Sequence, residues 1–197
     1  MKTLFKPSIW KILKIFYDNR NSHVHLREIS RKAGINESTI SSHLNFLLKV
    51  GILKTEKDAN LKKFYINNSK IKEIFPLFDA EKLSSLPQLR KDAIELYISH
   101  LEKKPLILIV FGSTAKGTYS KNSDIDLLEV SPYNKKEDKT AKYVEAQTGI
   151  KIQIFLISPD HFKNEIKLKK DKVILSALET GFPVFNAKYF YEAIYNE

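Results

Sequence analysis

The sequence predicts an α+β protein built from two small domains, and three observations carry that reading. Residues 1–68 show a helix, helix, tight turn, helix and hairpin pattern, and hold a net charge of +8 out of +10 for the whole chain. The residues after them are nearly neutral, with twenty Lys or Arg against eighteen Asp or Glu. From residue 106 short apolar runs of strand length alternate with helical stripes, and two aspartates one residue apart follow a run that ends in Gly-Ser. These features divide the chain into an N-terminal domain over 1–69, a helical connector over 70–104 and a small mixed-sheet domain over 105–197.

Composition narrows the class further. A chain of 197 residues with 43% apolar and 28% charged residues can bury two modest cores. No apolar run approaches the roughly 18 residues of a membrane span, so no membrane partner is expected. The start, Met1-Lys-Thr-Leu-Phe-Lys-Pro7, lacks the apolar core and small-residue site of a secretory leader. Cysteine is absent, which removes disulfides and thiolate metal sites. The expectation is a cytoplasmic protein. The concentration of positive charge in the first third points to a polyanionic partner for that third.

The N-terminal elements follow in order. Residues 8–19 read as a helix capped by Ser8, with Ile9, Ile12, Leu13 and Phe16 on one face. His23-Val24-His25 is a short extended piece. Residues 26–33 give a second helix, which Gly34 ends. Asn36 caps a third helix over 37–50, closed by Gly51, and two strands, Ile52–Thr55 and Lys63–Ile66, form a basic hairpin. This is the layout of a winged helix-turn-helix. In the third helix Ile40, Leu44 and Leu47 make the core face. Ser38, Ser42, Asn45 and Lys49 repeat on another face, whose small polar donors and single cation suit a major groove. Thr39 and His43 belong to the same helix and join the candidate DNA contacts. Lys57, Lys62 and Lys63 set positive charge on the wing, near where phosphates would run.

The stretch from Leu26 to Leu53, with Ala33-Gly34-Ile35 at the turn, Ser38-Thr39-Ile40 at the third helix and Gly51-Ile52-Leu53 after it, resembles winged-helix DNA-binding domains of the ArsR and MarR type. That resemblance implies double-stranded DNA as partner.

The connector carries two apolar stripes. One is Ile71, Ile74, Phe75 and Phe78; the other, after Pro87, is Leu89, Ala93, Ile94, Tyr97, Ile98 and Leu101. Each must be buried, either on the following domain or against a second copy, and a homodimer would suit a two-fold operator. Beyond Pro105 the expected order is strand 106–111, strand 125–130, helix 135–148, strand 151–157, a largely helical 159–180, a small edge strand at 183–185 and a last helix over 188–195. Trp10, Phe16, Phe75, Phe155 and the Tyr189–Tyr191 cluster are expected in cores rather than on a base-stacking surface.

The chemistry concentrates in residues 111–128. Asp124 and Asp126 flank Ile125 in a strand, so both carboxylates project to one face. Two like charges side by side are costly unless a cation joins them, and a hard divalent ion with oxygen ligands is the natural one. The Gly112–Thr118 stretch is not a P-loop, because Thr118 stands where such a loop needs Lys. An apolar strand, Gly112-Ser113, ten intervening residues with Gly117 among them, and Ser123-Asp124-Ile125-Asp126-Leu127 together resemble the minimal nucleotidyltransferases of the DNA polymerase beta superfamily.

That resemblance implies a Mg²⁺–nucleotide site, with ATP or another NTP as ligand. Asp124 and Asp126 would hold the metal and serve catalysis. Gly112, Ser113, Lys116, Gly117 and Lys121 would receive the phosphates, with the glycine allowing close backbone approach. The family usually adds a third carboxylate on a later strand. Here Gln153 takes the expected position, and an amide cannot act as a base; Glu145, Asp160 and Glu165 are the off-strand substitutes. In minimal relatives the acceptor is often a tyrosine on a HEPN-type toxin, with the transferase acting as antitoxin. Two readings therefore stand side by side. One is a DNA-binding nucleotidyltransferase that modifies a protein hydroxyl. The other is a transcriptional regulator whose transferase-like domain senses nucleotide or holds a partner without turnover.

Overall fold

The structure is a computed structural model and describes residues 6–20, 22–58, 61–133 and 139–195. The chain divides into two compact units, Met1–Phe78 and Asp79–Glu197.

The first unit opens with α1 (Pro7–Asp18), β1 (Val24–His25), α2 (Leu26–Ala33) and α3 (Glu37–Lys49). A hairpin of β2 (Leu53–Asp58) and β3 (Leu61–Ile66) follows, in an antiparallel sheet of order β1-β3-β2. The apolar stripes read from sequence meet in one core: Ile12, Leu13 and Phe16 of α1, Ile29 of α2 and Ile40, Leu44 and Leu47 of α3 are all buried. Gly34 ends α2 in the left-handed conformation, at φ 66°. The Asn36 side chain accepts from the Thr39 amide at 2.8 Å, the expected cap. Ser8 does something else. Pro7 already presets the first turn, Lys6 stands at the cap without a side-chain bond, and the Ser8 hydroxyl meets His43 Nε2 at 2.9 Å. The strands of the wing extend further toward the turn than the expected 52–55 and 63–66.

Helix α4 (Asn68–Ser85) carries the division between the units. Its first half supplies Ile71, Ile74, Phe75 and Phe78 to the first core, where Tyr17 lies edge-on to Phe75 at 5.3 Å. Asp79, on its second half, accepts the Tyr191 hydroxyl within the second unit.

The second unit comprises the rest of α4, α5 (Gln88–His100), β4 (Ile107–Phe111), α6 (Gly112–Lys116), β5 (Ile125–Val130) and α7 (Lys139–Thr148). They are followed by β6 (Ile152–Ile157), α8 (Pro159–Leu168), α9 (Lys172–Thr180), β7 (Phe182–Phe185) and α10 (Ala187–Tyr195). The sheet order is β6-β5-β4-β7, with β5 and β6 parallel and the other pairs antiparallel, so the sheet is mixed. Ala93, Ile94 and Tyr97 of α5 share one core with Val144 of α7 and with Leu108, Val110, Ile125, Leu127 and Ile152 of the sheet. Of the second stripe of the 70–104 segment, Ala93, Ile94, Tyr97 and Leu101 are thus buried within the C-terminal unit, Ile98 is partly buried, and Leu89 is exposed, contrary to expectation.

The expected helix over 159–180 is two helices. Lys169 turns left-handed at φ 52°, and the Glu165 carboxylate accepts the Lys170 and Asp171 amides at 2.9 and 2.8 Å, which stabilises the break. The part of the expected helix over 135–138 lies outside the described residues. Among the described residues no helix is long and apolar enough to cross a membrane.

Candidate functional site

The C-terminal site forms where β4 ends and β5 begins. Gly112 follows β4 at φ 64°, and a Cβ there would collide with Asp126 Oδ2, so only glycine lets the carboxylate lie against the turn. Ser113 is half-buried in the first turn of α6. Lys116 and Lys121 are exposed, and Gly117 closes α6 in the left-handed region.

Strand register decides what surrounds the carboxylates. Asp126 lies beside Phe111 of β4 and Gln153 of β6. Asp124 precedes the paired stretch, and its Oδ2 accepts from Lys151 Nζ at 3.0 Å. The two strands therefore set an amide next to one aspartate and an ammonium next to the other. Burial and, secondarily, the charge of Asp124 push the Asp126 carboxyl above the ordinary aspartate range. Lys151 is held more basic than usual, first by its hydrogen bond to Asp124 and then by that carboxylate's charge.

Of the three off-strand acids, Glu145 acts by its charge on Lys151, and none stands on β6 itself. Glu165 is engaged by its two amides, which lower its pKa, Asp160 is exposed in the first turn of α8, and Glu145 is exposed on α7. Among the described residues no group of three or more His, Cys, Asp or Glu side chains could hold a metal ion. The donor set of two aspartates and a glutamine amide is nonetheless one of hard oxygens. It fits a divalent cation that takes its remaining ligands from a phosphate chain and water, the usual manner of Mg²⁺.

A residue that sequence patterning did not single out ties this site together. Arg90, on the first turn of α5, is only 4% exposed. It donates to Thr114 Oγ1 at 3.0 Å and to the carbonyls of Ser120 and Ser123 at 3.1 and 2.6 Å. Its local sequence gives no signal, because all three contacts lie 24 to 33 residues away.

In the N-terminal unit, α3 leaves Ser38, Ser42, Asn45 and Lys49 exposed on the face opposite its buried residues. Thr39 is half-buried with its amide engaged by Asn36, and His43 is half-buried against Ser8. On the wing, Lys57 stands directly across from Lys62, while Lys63 faces Glu56. Like charges opposite one another destabilise a hairpin, so the Lys57–Lys62 pair is unfavourable by itself and suited to a polyanion. A groove of about 710 Å³ lies between α2, α3 and the wing. It is lined by Arg27, Arg31, Asn45 and Lys62 but also by Glu28 and Glu37, and Arg27 lies 3.8 Å from Glu37, so the groove is of mixed charge.

Two family models match the chain: a nucleotidyltransferase domain over residues 91–181, and the arsR family of bacterial regulatory proteins over residues 11–55. An uncharacterized HTH-type transcriptional regulator of Methanocaldococcus jannaschii is 35% identical over 80 residues, which are 40% of this chain and 85% of that protein. The chain joins an ArsR-family helix-turn-helix to a nucleotidyltransferase domain. The arsR-family match runs from within α1 to the start of β2 and so takes in Ser38 to Lys49 but not Lys57, Lys62 or Lys63, and the nucleotidyltransferase match contains Gly112, Asp124, Asp126 and Gln153. The chain is also similar to the crystal structure of MepR, a transcription regulator of the Staphylococcus aureus multidrug efflux pump MepA. That match has 16% identity and a TM-score of 0.35, over 49% of this chain and 76% of that one. A likeness of that size decides nothing about function.

Proposed function

We propose that this chain is a cytoplasmic DNA-binding regulator whose C-terminal domain binds a Mg²⁺-bound nucleoside triphosphate. The N-terminal unit would lay α3 in a major groove, with Ser38, Ser42 and Asn45 toward base edges and Lys49, Lys57 and Lys62 toward phosphates. Two copies would read the halves of a two-fold operator. The kinship with an HTH-type transcriptional regulator supports regulation as the purpose. In the C-terminal domain Asp124 and Asp126 would hold the cation, which would neutralise phosphate charge, and Gly112 and Ser113 would receive the phosphate chain. The observation that carries this reading is the seating of the Asp126 carboxylate against Gly112, where a Cβ would meet Asp126 Oδ2 and the positive φ strains any other residue.

Transfer would join a protein hydroxyl oxygen to the α-phosphorus, break the bond to the bridging oxygen and release pyrophosphate. The hydroxyl proton would have to leave to Asp126 or to water, since the neighbouring Gln153 accepts none. The acceptor implied by the family resemblance is a tyrosine on a HEPN-type toxin, with this chain as antitoxin. A second reading, nucleotide sensing or partner binding without turnover, is favoured by Gln153 beside Asp126 and by Lys151 on Asp124.

Incubation of the chain with α-labelled ATP, Mg²⁺ and the product of the adjacent gene separates the two. Label transferred to that protein and lost with Asp126→Ala supports the transferase. Saturable ATP binding without transfer supports the sensor. Absence of both binding and transfer contradicts the site.

A further inference from the structure

We infer that Arg90 is a positioning residue for the carboxylate pair: it acts from α5 through the loop that leads into β5. This rests on the reading of Asp124 and Asp126 as the cation-binding pair.

The contacts converge on the segment between α6 and β5. One terminal nitrogen of the guanidinium donates to the Thr114 hydroxyl in α6, and the other donates to the Ser120 and Ser123 carbonyls. The guanidinium also lies over the Tyr119 ring, 4.3 Å from its centroid. Within the loop, the Ser123 hydroxyl accepts the Ser120 amide at 2.9 Å and the two hydroxyls are 3.0 Å apart. Residues 119–123 thus form a closed turn with Arg90 as its hub. Ser123 immediately precedes Asp124. Anchoring its carbonyl fixes the orientation of the peptide from which Asp124 departs. Ile125 is then pinned by the hydrogen bond that its N–H donates to the Lys151 carbonyl at 2.9 Å, so Asp124 is held from both sides and Asp126 follows in register.

Packing alone does not account for an arginine here. Ala93, Ile94 and Tyr97 already provide the apolar face of α5. Burying a guanidinium is costly, and among the described residues no carboxylate forms an ion pair with Arg90. What the side chain offers is a rigid planar fork that reaches several acceptors at fixed angles, which a lysine ammonium cannot reproduce.

The test uses the full chain with Mn²⁺ as probe, read by electron paramagnetic resonance, together with hydrogen–deuterium exchange. The variants are Arg90→Lys and Arg90→Met, with Tyr97→Phe as control. Tyr97 is on the same helix and its hydroxyl donates to buried Glu129 at 3.0 Å, away from the loop. Both Arg90 variants are expected to raise exchange over residues 117–126 by about tenfold while β4 and β6 stay protected. They are also expected to weaken Mn²⁺ binding by about tenfold or more. Tyr97→Phe should lower the melting temperature and leave both readouts unchanged. Wild-type Mn²⁺ affinity in Arg90→Lys would overturn the proposal, and so would unchanged exchange or a uniform rise across the sheet. A wild-type chain that binds no Mn²⁺ would overturn the reading of the site instead. The exchange pattern would then still uphold or reject the hold of Arg90 on the loop by the same criterion.

Discussion

The two units carry their candidate functional residues in opposite ways. In the helix-turn-helix unit, Ser38, Ser42, Asn45, Lys49, Lys57 and Lys62 are exposed and the core of that unit is built without them. In the nucleotidyltransferase unit, Gly112, Asp126 and Arg90 are fitted against one another or into the interior. A surface that presents charge to a polyanion can be changed at little structural cost. A site that must hold two carboxylates at one corner is part of the fold, and altering the residues that seat them disturbs both.

The comparison is most exposed at Gly112. Gly112→Ala forces a side chain into a positive φ and into Asp126 Oδ2, and is expected to destabilise the C-terminal unit by about 2–4 kcal/mol and to abolish nucleotide binding. Urea unfolding read beside ligand titration checks it, and a variant as stable as wild type would break the claim that this site is part of the fold. The opposite outcome is expected on the wing. Lys57→Glu replaces an unfavourable cross-strand pair with Lys62 by a favourable one, so it should stabilise the hairpin by about 0.5 kcal/mol. The same change should weaken DNA binding about tenfold and flatten its salt dependence. Fluorescence anisotropy across a salt series, with a melting curve, reads both, and loss of stability together with affinity would show that the wing is not merely a surface.

A smaller effect is expected at Asp126. Its folded-state pKa is raised, by burial first and then by Asp124, so its contribution to stability is present at low pH and is lost as pH rises through that raised value. At neutral pH the ionised group costs stability, and Asp126→Asn should raise the melting temperature by about 2 °C while cation binding is lost. The gain should shrink as pH falls toward the ordinary aspartate range. A variant less stable than wild type at neutral pH would mean that the carboxylate is structurally required.

Much of the fold was legible because its signals are local. The core faces of α1 and α3 follow from helical spacing, the end of α2 from Gly34 and the start of α3 from Asn36. The strand pair around Gly112-Ser113 and Asp124–Asp126 follows from apolar runs and alternation. Most of what escaped depends on distant partners. Ser8 bonds to His43, 35 residues away. The break between α8 and α9 is local but carries no glycine or proline, being stabilised by the Glu165 carboxylate on amides five and six residues on. The burial of α5 in the C-terminal unit is, like the Ser8 bond, a tertiary choice, since its stripe would serve equally well against a second copy. At the site, the motif located Gly112, Asp124, Asp126 and Gln153 by spacing. Lys151 gives no such signal, because a lysine at a strand start with its charged head in solvent looks ordinary until β6 is set in register beside β5.

The central claim is that the pair Asp124 and Asp126, seated against Gly112, binds a metal-bound nucleotide in a chain that also binds DNA. The most direct measurement is titration of fluorescent ATP into the full chain, with and without Mg²⁺, in the wild type and in Asp126→Asn. Saturable binding that requires Mg²⁺ and disappears in the variant, with DNA affinity unchanged, is the expected result. Binding that is indifferent to Mg²⁺ and to Asp126, or no binding at all, would contradict the account.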